Sequence, residues 1–357
     1  MAISDIQERA TAISKSWTAR LIAIAILLGV LFFIGLFATT LGSVSIPLDT
    51  TFGILISKLP FIEVAPDWPA SFEIIIENIR MPRVLLACIV GAALAVAGAT
   101  YQGLFRNPLA DPYLIGVAQG AALGAVIGFL FPIVIFGGVT GIIPIFAFIG
   151  ALVSVTVVYM LARVGGMIPV TTLILAGVAM GALFSAMVSY LITISGDKIH
   201  GIIFWMMGSF SSSQWDEVKI TWPVIIVGIA IIFLFARALN IMQLGEEQAK
   251  QLGIDVEKVK IILLAVSTLI TAAAVSFVGI IGFVGIIVPH AVRLIWGPDH
   301  RFLLPLSALV GAIFMILADI VARTLLAPTE IPIGIITAIC GAPFFLYLLR
   351  KRTKVLF

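Results

Sequence analysis

The side chains best suited to chemistry in this 357-residue sequence are charged residues at the ends of long apolar runs. Arg80 and Arg83 stand three apart on either side of Pro82, just before such a run. Because a guanidinium group matches a carboxylate in two-point geometry, the pair could hold an acidic partner. The alternative is an interfacial role, in which both side chains extend toward polar headgroups.

Asp319 is the single carboxylate inside a predicted apolar span, and such residues are functional candidates by default. Arg323 follows one helical turn later, at the i, i+4 spacing that allows an ion pair on a helix. We therefore expect Asp319 to orient Arg323 rather than to relay protons.

Histidines and cysteines show no metal-ligand spacing. His200, His290 and His300 are scattered over predicted loops and a span end, so they share no helix face. Cys88 and Cys340 lie in separate apolar runs. The sequence therefore predicts neither a metal site nor a disulfide.

A catalytic nucleophile also lacks support. Ser185 and Ser189 lie in a predicted span, but no His or second Asp lies at comparable depth to activate them. The chain lacks the Gly-x-x-x-x-Gly-Lys-Ser/Thr phosphate loop, so ATP that drives it must be hydrolysed by a partner. We predict no catalytic residue and no cofactor bound by this chain, which would then not be an enzyme.

Two polar stretches predict defined turns. Pro108 moves Asn107 out of helical geometry, so the chain turns there; a capping role for Asn107 is the alternative. Residues 240–260 hold a short predicted helix, Glu246 to Leu252, closed by Gly253. Such a helix suits a groove on another protein, and an ordinary solvated loop is the alternative.

The elements that position these residues must be membrane helices. Hydrophobic residues make up 61% of the chain and charged residues only 11%, against roughly 25% in soluble domains. At about 20 apolar residues per span, the length accommodates about ten spans. The net charge of +3 forms no basic stripe, so nucleic acid is not expected as a partner. We predict an all-α, polytopic membrane protein.

The predicted spans are 21–41, 84–104, 113–131, 141–162, 170–192, 220–239, 260–278, 280–296, 303–322 and 332–349. Several are rich in small residues, as in the run Gly91 to Gly98. Because lipid offers no hydrophobic drive for helix association, we read these glycines as packing residues that let helices approach closely.

The positive charges predict the orientation. Of the 21 Lys and Arg residues, 15 lie on the side of both termini, including Arg9 and Lys15. Because cytoplasmic loops retain positive charge, both termini are predicted to be cytoplasmic. The six on the opposite side are Lys58, Arg80, Arg83, Lys198, Lys219 and Arg323.

The predicted organisation is one transmembrane domain, 21–350, between a cytoplasmic segment, 1–20, and a cytoplasmic tail, 351–357. Residues 42–83 form an external loop, expected to hold a helix, and 193–219 an external segment. The stretch 240–260 is the largest internal cytoplasmic loop.

Three stretches share their motifs with one family. The first is Arg80 to Arg83 together with Gln102 to Gly116. The second is Leu244 to Ile254. The third consists of Phe283 to His290, Asp299 to Arg301, Ala318 to Arg323 and Ile331 to Thr337. From about residue 80 onward the chain closely resembles the permease subunits of the iron-siderophore, haem and vitamin B12 class of ABC importers (FecCD type). The stretch Trp205 to Phe210 resembles the vitamin B12 members in particular.

The resemblance implies a permease in a prokaryotic cytoplasmic membrane that pairs with a second copy, two ATP-binding cassette subunits and an extracytoplasmic solute-binding protein. ATP and Mg would be used by the partner ATPase. It also implies roles for three sets of residues. Arg80, Arg83 and Arg323 would dock the binding protein. The cytoplasmic gate would have two parts, a first gate with Asn107 and Leu109 and a second gate loop, Pro169 to Thr172, with Thr171. Gly245, Glu247, Gln248, Leu252 and Gly253 would couple the chain to the ATPase.

The imported cargo stays open between cobalamin, a ferric siderophore, haem and a smaller oxyanion. The main alternative function is an ion-coupled secondary transporter of a small solute. Such transporters place charged groups near the membrane midplane, and Asp319 is the single candidate of this kind. An intramembrane enzyme lacks the paired groups named above.

Overall fold

The computed structural model describes residues 17–42, 44–58, 67–131 and 141–353. Arg9, Lys15, most of the N-terminal segment, part of the external loop and the end of the tail lie outside the described residues. We call the end of the bundle that holds residues 243–255 cytoplasmic and the opposite end external, following the Lys and Arg count.

The described residues fold into helices joined by short turns. In chain order they are α1 Trp17–Thr40, α2 Leu48–Ser57, α3 Ala70–Ile74, α4 Met81–Leu104, α5 Val117–Leu130, α6 Ile142–Ala162, α7 Val170–Thr193, α8 Ile199–Met206, α9 Trp215–Leu234, α10 Ala236–Met242, α11 Glu246–Gln251, α12 Val256–Val278, α13 Val284–Trp296, α14 His300–Thr324 and α15 Ile333–Thr353. Each predicted span coincides with one of the apolar helices, which confirms the all-α membrane architecture.

Among the described residues, seven helices are long and apolar enough to cross a membrane. The other three predicted spans correspond to shorter apolar helices, Val117–Leu130, Val284–Trp296 and Ile333–Leu346. Two predicted limits were wrong. The span predicted at 220–239 corresponds to α9, which begins at Trp215 and ends at Leu234. The coupling loop predicted at 240–260 covers only 243–255, because α12 begins at Val256.

Helix α4 lies at the centre of the bundle, in contact with α9, α12, α13 and α14. Its glycines make this possible. A Cβ on Gly91 would overlap the main chain of Gly311 in α14, and a Cβ on Gly98 would overlap that of Gly285 in α13. Glycine at these positions allows backbones to touch, as the small-residue run predicted.

Two short helices begin next to each other inside the bundle. The Tyr113 hydroxyl, just before α5, donates to the carbonyl of Ile281, just before α13, over 2.9 Å. Gln102 Nε2 donates to the Gly285 carbonyl over 3.1 Å. These bonds satisfy main-chain groups that a break in a helix would otherwise leave unpaired within the bundle.

The external loop holds one expected helix, α2, and a feature that the sequence did not indicate. Helix α3 continues through a π-helical turn, Ile75–Arg80, directly into α4. The π turn carries one extra residue, which re-aims the side chains that follow it, and such turns are frequent at functional sites. Arg80 is its last residue.

Candidate functional site: an external arginine cluster and a cytoplasmic junction

The motif arginines gather with two carboxylates at the external end of the bundle. We define the external arginine cluster as Arg80, Arg83, Asp319, Arg323 and Glu330. All but Glu330 are buried. Three cations face two carboxylates, so the cluster carries one net positive charge.

Arg83 connects α4 to α14 and to the loop that follows it. Its Nε donates to both carboxylate oxygens of Asp319, at 3.0 and 3.1 Å, and Nη2 donates to Oδ1 at 2.8 Å. Nη1 donates to Glu330 Oε1 at 2.7 Å. A buried charge is tolerated only when paired and hydrogen-bonded in this way.

The other two arginines donate hydrogen bonds to main-chain carbonyls at the end of α1. Arg80 Nη1 donates to the carbonyls of Thr39 and Thr40 at 2.9 and 2.7 Å, and Nη2 to that of Val44. Arg323 donates to the carbonyls of Ala38 at 2.7 Å and Leu41 at 3.2 Å. A helix leaves its last four carbonyls without internal partners and carries partial negative charge there, so two cations stabilise this end.

The expected pair of Asp319 and Arg323 is present, with Oδ2 and Nε 3.4 Å apart. The shorter bonds of Asp319 go to Arg83, which the sequence did not indicate because the two residues are 236 positions apart. Within the described residues, none of the three arginines stands as a free surface cation. Their predicted role in docking a binding protein stays a prediction.

At the cytoplasmic end, α4 finishes in a tight turn that contains the first predicted gate. Asn107 N–H donates to the Gln102 carbonyl at 3.2 Å and Arg106 N–H to that of Gly103 at 3.4 Å. This is the Schellman arrangement, and it places Arg106 at positive φ, 49°. Asn107 Oδ1 then accepts from Leu109 N–H at 3.0 Å, which confirms the turn predicted there.

The second predicted gate lies beside a hairpin that the sequence analysis missed. Val164 and Met167 exchange two main-chain hydrogen bonds of 3.0 Å across Gly165 and Gly166. Both glycines have positive φ, as a type I′ turn requires. The Gly-Gly pair was the signal that could have revealed it. Pro169 then precedes α7, whose second residue, Thr171, is exposed.

The predicted coupling helix forms as α11 and ends where expected. Gly253 N–H donates to the Lys250 carbonyl and Ile254 N–H to that of Ala249, each at 3.0 Å. Gly253 has φ 84°, so the predicted glycine termination is confirmed. At the other end, Gly245 has φ 127° and ψ 152°, a conformation that glycine alone adopts readily.

One face of this helix points away from the protein. Ala249 is buried, whereas Glu247, Gln248 and Leu252 are exposed. Leu244 and Leu252 are each 61% exposed, although both are large apolar side chains. Their exposure at a polar end of the bundle is typical of a surface that another protein covers.

A buried lysine joins this helix to the second predicted gate. Lys260 Nζ lies 2.8 Å from Glu246 Oε1 in α11 and 3.3 Å from Glu257 Oε1 in its own helix, α12. It also donates to the Ile168 carbonyl at 3.3 Å, while Ile168 N–H donates to Glu257 Oε2 at 3.1 Å. We call Glu246, Glu257, Lys260 and Ile168 the cytoplasmic junction.

The junction borders a cavity of about 510 Å³ at the cytoplasmic end. Arg106 from the first gate turn, Thr171 from the second, and Glu246 from the coupling helix all line it. The structure thus brings the three predicted cytoplasmic features around one space. Asn107 and Leu109 belong to the turn beside it.

Comparison with known proteins identifies the family of this chain. The model of the FecCD transport family matches residues 21–351, nearly the whole chain. The chain belongs to the FecCD transport family. This confirms the resemblance drawn from the three motif stretches and places a FecCD-type permease in a cell membrane.

Individual members resemble this FecCD-type permease over most of its length. The cobalamin import system permease protein BtuC of Halobacterium salinarum is 51% identical over 284 residues, 80% of this chain and 75% of that protein. The hemin transport system permease protein HmuU of Yersinia pestis is 43% identical over 284 residues, 78% and 83% of the two chains.

A solved structure agrees with the fold of this FecCD-type permease. A metal-chelate type ABC transporter in an inward-facing conformation matches with a TM-score of 0.78 and 32% identity. The match covers 92% of this chain and 99% of that one. The chain therefore has the architecture of an ABC permease, and the alternative of an ion-coupled secondary transporter is not supported.

Proposed function

We propose that this chain is the permease of an ATP-driven importer whose cargo is cobalamin. One observation carries the choice of cargo: the identity to an archaeal cobalamin permease is higher than that to a hemin permease over an equal length. The stretch Trp205 to Phe210, which resembles the vitamin B12 members, agrees with it.

The ATPase subunits dock against the outward face of α11. Leu244 and Leu252 offer two exposed apolar contacts, and Glu247 and Gln248 offer polar ones beside them. An apolar centre with a polar rim is the usual composition of a protein interface. ATP and Mg are used by these partners, because the chain carries no phosphate loop.

A solute-binding protein docks at the external end. The external arginine cluster carries one net positive charge, and the hydrogen bonds of Arg80 to described residues go to main-chain carbonyls. An acidic side chain of the partner would neutralise this excess. Because Arg83 and Arg323 already pair with Asp319, docking there requires an exchange or sharing of partners rather than binding to free cations.

A second copy of the chain completes the path. Helix α7 is among the most exposed long helices of the bundle and bears hydroxyls, Ser185 and Ser189, on its exposed side. Small and hydroxyl residues favour close approach of membrane helices. Two copies facing each other through α7 would enclose a passage that ends at the gates around Asn107, Leu109 and Thr171.

Transport then follows from the geometry. The binding protein releases cobalamin into the passage between the two copies. Nucleotide binding moves the ATPase subunits, α11 follows them, and the gates open and close around the cytoplasmic cavity. An apolar passage holds a bulky cargo weakly, which permits release as well as entry.

The decisive experiment measures uptake by proteoliposomes that contain the chain, its cognate ATPase and its binding protein. We expect ATP-dependent accumulation of radiolabelled cyanocobalamin that excess haem does not reduce. Accumulation of haem in place of cyanocobalamin would overturn the assignment of the cargo. Failure of the ATPase to associate with the chain would overturn the proposal that the chain is an importer permease.

Docking is tested in the same vesicles by Arg80→Glu. We expect this variant to lose the stimulation of ATP hydrolysis by the binding protein. Lys219→Glu is the matched control, because Lys219 is an exposed cation on the same side that pairs with its neighbour Asp216. An equal loss in both variants would mean that general charge, not the cluster, attracts the binding protein.

A further inference from the structure

The cytoplasmic junction is a candidate connection between the surface that the ATPase covers and the gate that must move. It contains one buried lysine, two carboxylates from different helices and both main-chain polar groups of one residue. The family motifs that define the coupling stretch and the first gate do not include Lys260 or Glu257. Their role is therefore open.

We propose that Lys260 and Glu257 are positioning residues that transmit the movement of α11 to the second gate. The inference rests on the proposed function, since it needs an ATPase that moves α11. Glu246 is the contact on the coupling side, 2.8 Å from Lys260 Nζ. Ile168 is the contact on the gate side, bonded through its N–H to Glu257 and through its carbonyl to Lys260.

The connection is short and direct. Ile168 follows the Val164–Met167 hairpin, and α7 begins two residues later with Val170 and Thr171. A displacement of Glu246 therefore reaches the start of α7 through one ion pair and one hydrogen bond. No described side chain of α11 bonds directly to the segment 163–169, so Lys260 and Glu257 form the connection.

Burial makes this connection strong enough to transmit force. Lys260 is 5% exposed and Glu257 21% exposed, so water competes little for their bonds. Removing the lysine would leave two carboxylates close together without their shared cation. The three groups are therefore expected to move as a unit, because separating them costs far more than separating an exposed pair.

Exposed pairs nearby show the contrast. Lys258 stands in the same helical turn as Lys260, pairs with Asp255 at 2.8 Å, and is 80% exposed. Within the described part of the chain, Lys258 makes no bond to the segment 163–169. Lys258→Met therefore removes the same charge from the same turn without touching the junction, which makes it the matched control for Lys260→Met.

The test follows the gate itself rather than cargo. Cys88 and Cys340 are replaced by Ser, and Thr171→Cys reports on the gate through its reaction with a membrane-impermeant maleimide. The chain is reconstituted with its ATPase subunits. Labelling rates are compared without nucleotide and with ATP plus vanadate.

We expect the labelling rate of Thr171→Cys to change with nucleotide in the otherwise unaltered complex and in Lys258→Met. Lys260→Met should reduce this nucleotide-dependent change about tenfold, and Glu246→Gln should reduce it less. The double variant Glu246→Gln/Lys260→Met should match Lys260→Met alone, because residues that act through one contact are not additive. Lys260→Arg, which keeps the charge, should restore most of the change.

Three results would overturn the inference. They are a full nucleotide-dependent change in Lys260→Met, an equal loss in Lys258→Met, or additive losses in the double variant. A reference complex without any nucleotide-dependent change at Thr171 would also overturn it, because no movement would reach the gate. The proposed function is judged separately by cyanocobalamin uptake, so the two failures are distinguishable. If Lys260→Met does not assemble with the ATPase subunits, Glu246→Gln provides the test, because the side chain of Glu246 is partly exposed and its substitution perturbs the fold less.

Discussion

Single residues at the ends of the helices hold conformations or charges that only their surroundings make stable. Arg106 is one of two non-glycine residues at positive φ in the described structure. It occupies the place in the Schellman turn where glycine is usual. A side chain in this backbone conformation costs roughly 1 kcal/mol or more. Backbone strain of this kind is often kept at functional sites, and here it lies beside the residues proposed as the first gate.

Arg106→Gly is therefore expected to be more stable than Arg106→Ala by about 1 kcal/mol. Both variants remove the long side chain, and only the alanine variant keeps the Cβ that strains the turn. Thermal unfolding in one detergent at equal protein concentration provides the comparison. Equal stabilities would show that the backbone conformation of this turn relaxes without cost.

Asp299 is a second residue whose state depends on its contacts. It caps α14 by accepting from Arg301 N–H at 3.1 Å. Burial raises the pKa of its carboxyl, but hydrogen bonds from Arg301 and Asn240 outweigh burial and hold the pKa at about 2, against an ordinary 3.8. Because the folded pKa is lowered, the carboxylate stabilises the fold fully above about pH 4 and loses this effect as the pH falls toward 2.

Asp299→Asn is expected to lower the unfolding temperature at pH 7, with a difference from the unaltered chain that shrinks between pH 4 and pH 2. Asparagine still caps a helix, so the difference reports the charge. Asp255→Asn is the matched control at the cap of α12, where the partner Lys258 is largely exposed, and should change stability little. A difference in unfolding temperature between Asp299→Asn and the unaltered chain that persists in full at pH 2 would contradict the lowered pKa of Asp299.

At the scale of helices, close packing depends on glycines that face a backbone. Gly98→Ala places a methyl group against the main chain of Gly285, and such overpacking costs about 1–3 kcal/mol. Gly29→Ala in α1 is the matched control, since nothing lies within 4 Å of the added methyl. Thermal unfolding should show a lower unfolding temperature for Gly98→Ala than for Gly29→Ala. A destabilised Gly29→Ala would show that helix composition, not contact, controls stability.

The helices were predictable to different degrees for physical reasons. Long apolar runs identify membrane spans because a bilayer requires about 20 apolar residues. The π turn before α4 and the short helix α8 leave no such pattern, so they were missed. Local turns at Asn107 and Gly253 were predicted because proline restricts the backbone before it and glycine tolerates the left-handed conformation that ends a helix. The contacts Arg83–Asp319 and Lys260–Glu246 were not, because they depend on how distant helices pack.

At the scale of the whole molecule, α4 joins the two sites. It begins directly after Arg80 and ends directly before the turn of Arg106, and its 24 residues span about 36 Å. Neighbouring helices surround it on most sides. A buried helix between the proposed docking site and the first proposed gate gives the molecule a fixed frame, against which α7 and α11 can move.

The external arginine cluster stabilises this frame as a whole. Arg83→Met is expected to reduce the free energy of unfolding by about 3–5 kcal/mol, because it leaves Asp319 and Glu330 without their main partner. Lys219→Met, which breaks an exposed pair, should cost less than about 1 kcal/mol. Thermal unfolding of both variants in the same detergent tests this. Comparable effects would show that burial adds nothing to the Arg83 pairs.

The bonds at the end of α1 also impose an order on biogenesis. Leu41 is synthesised early, but Arg323, which donates to its carbonyl, follows 282 residues later. Until α14 enters the membrane, α1 ends in carbonyls without one of their two cationic partners. A nascent or truncated chain that lacks α14 is thus incomplete at the end of α1, which only a residue made 282 positions later completes.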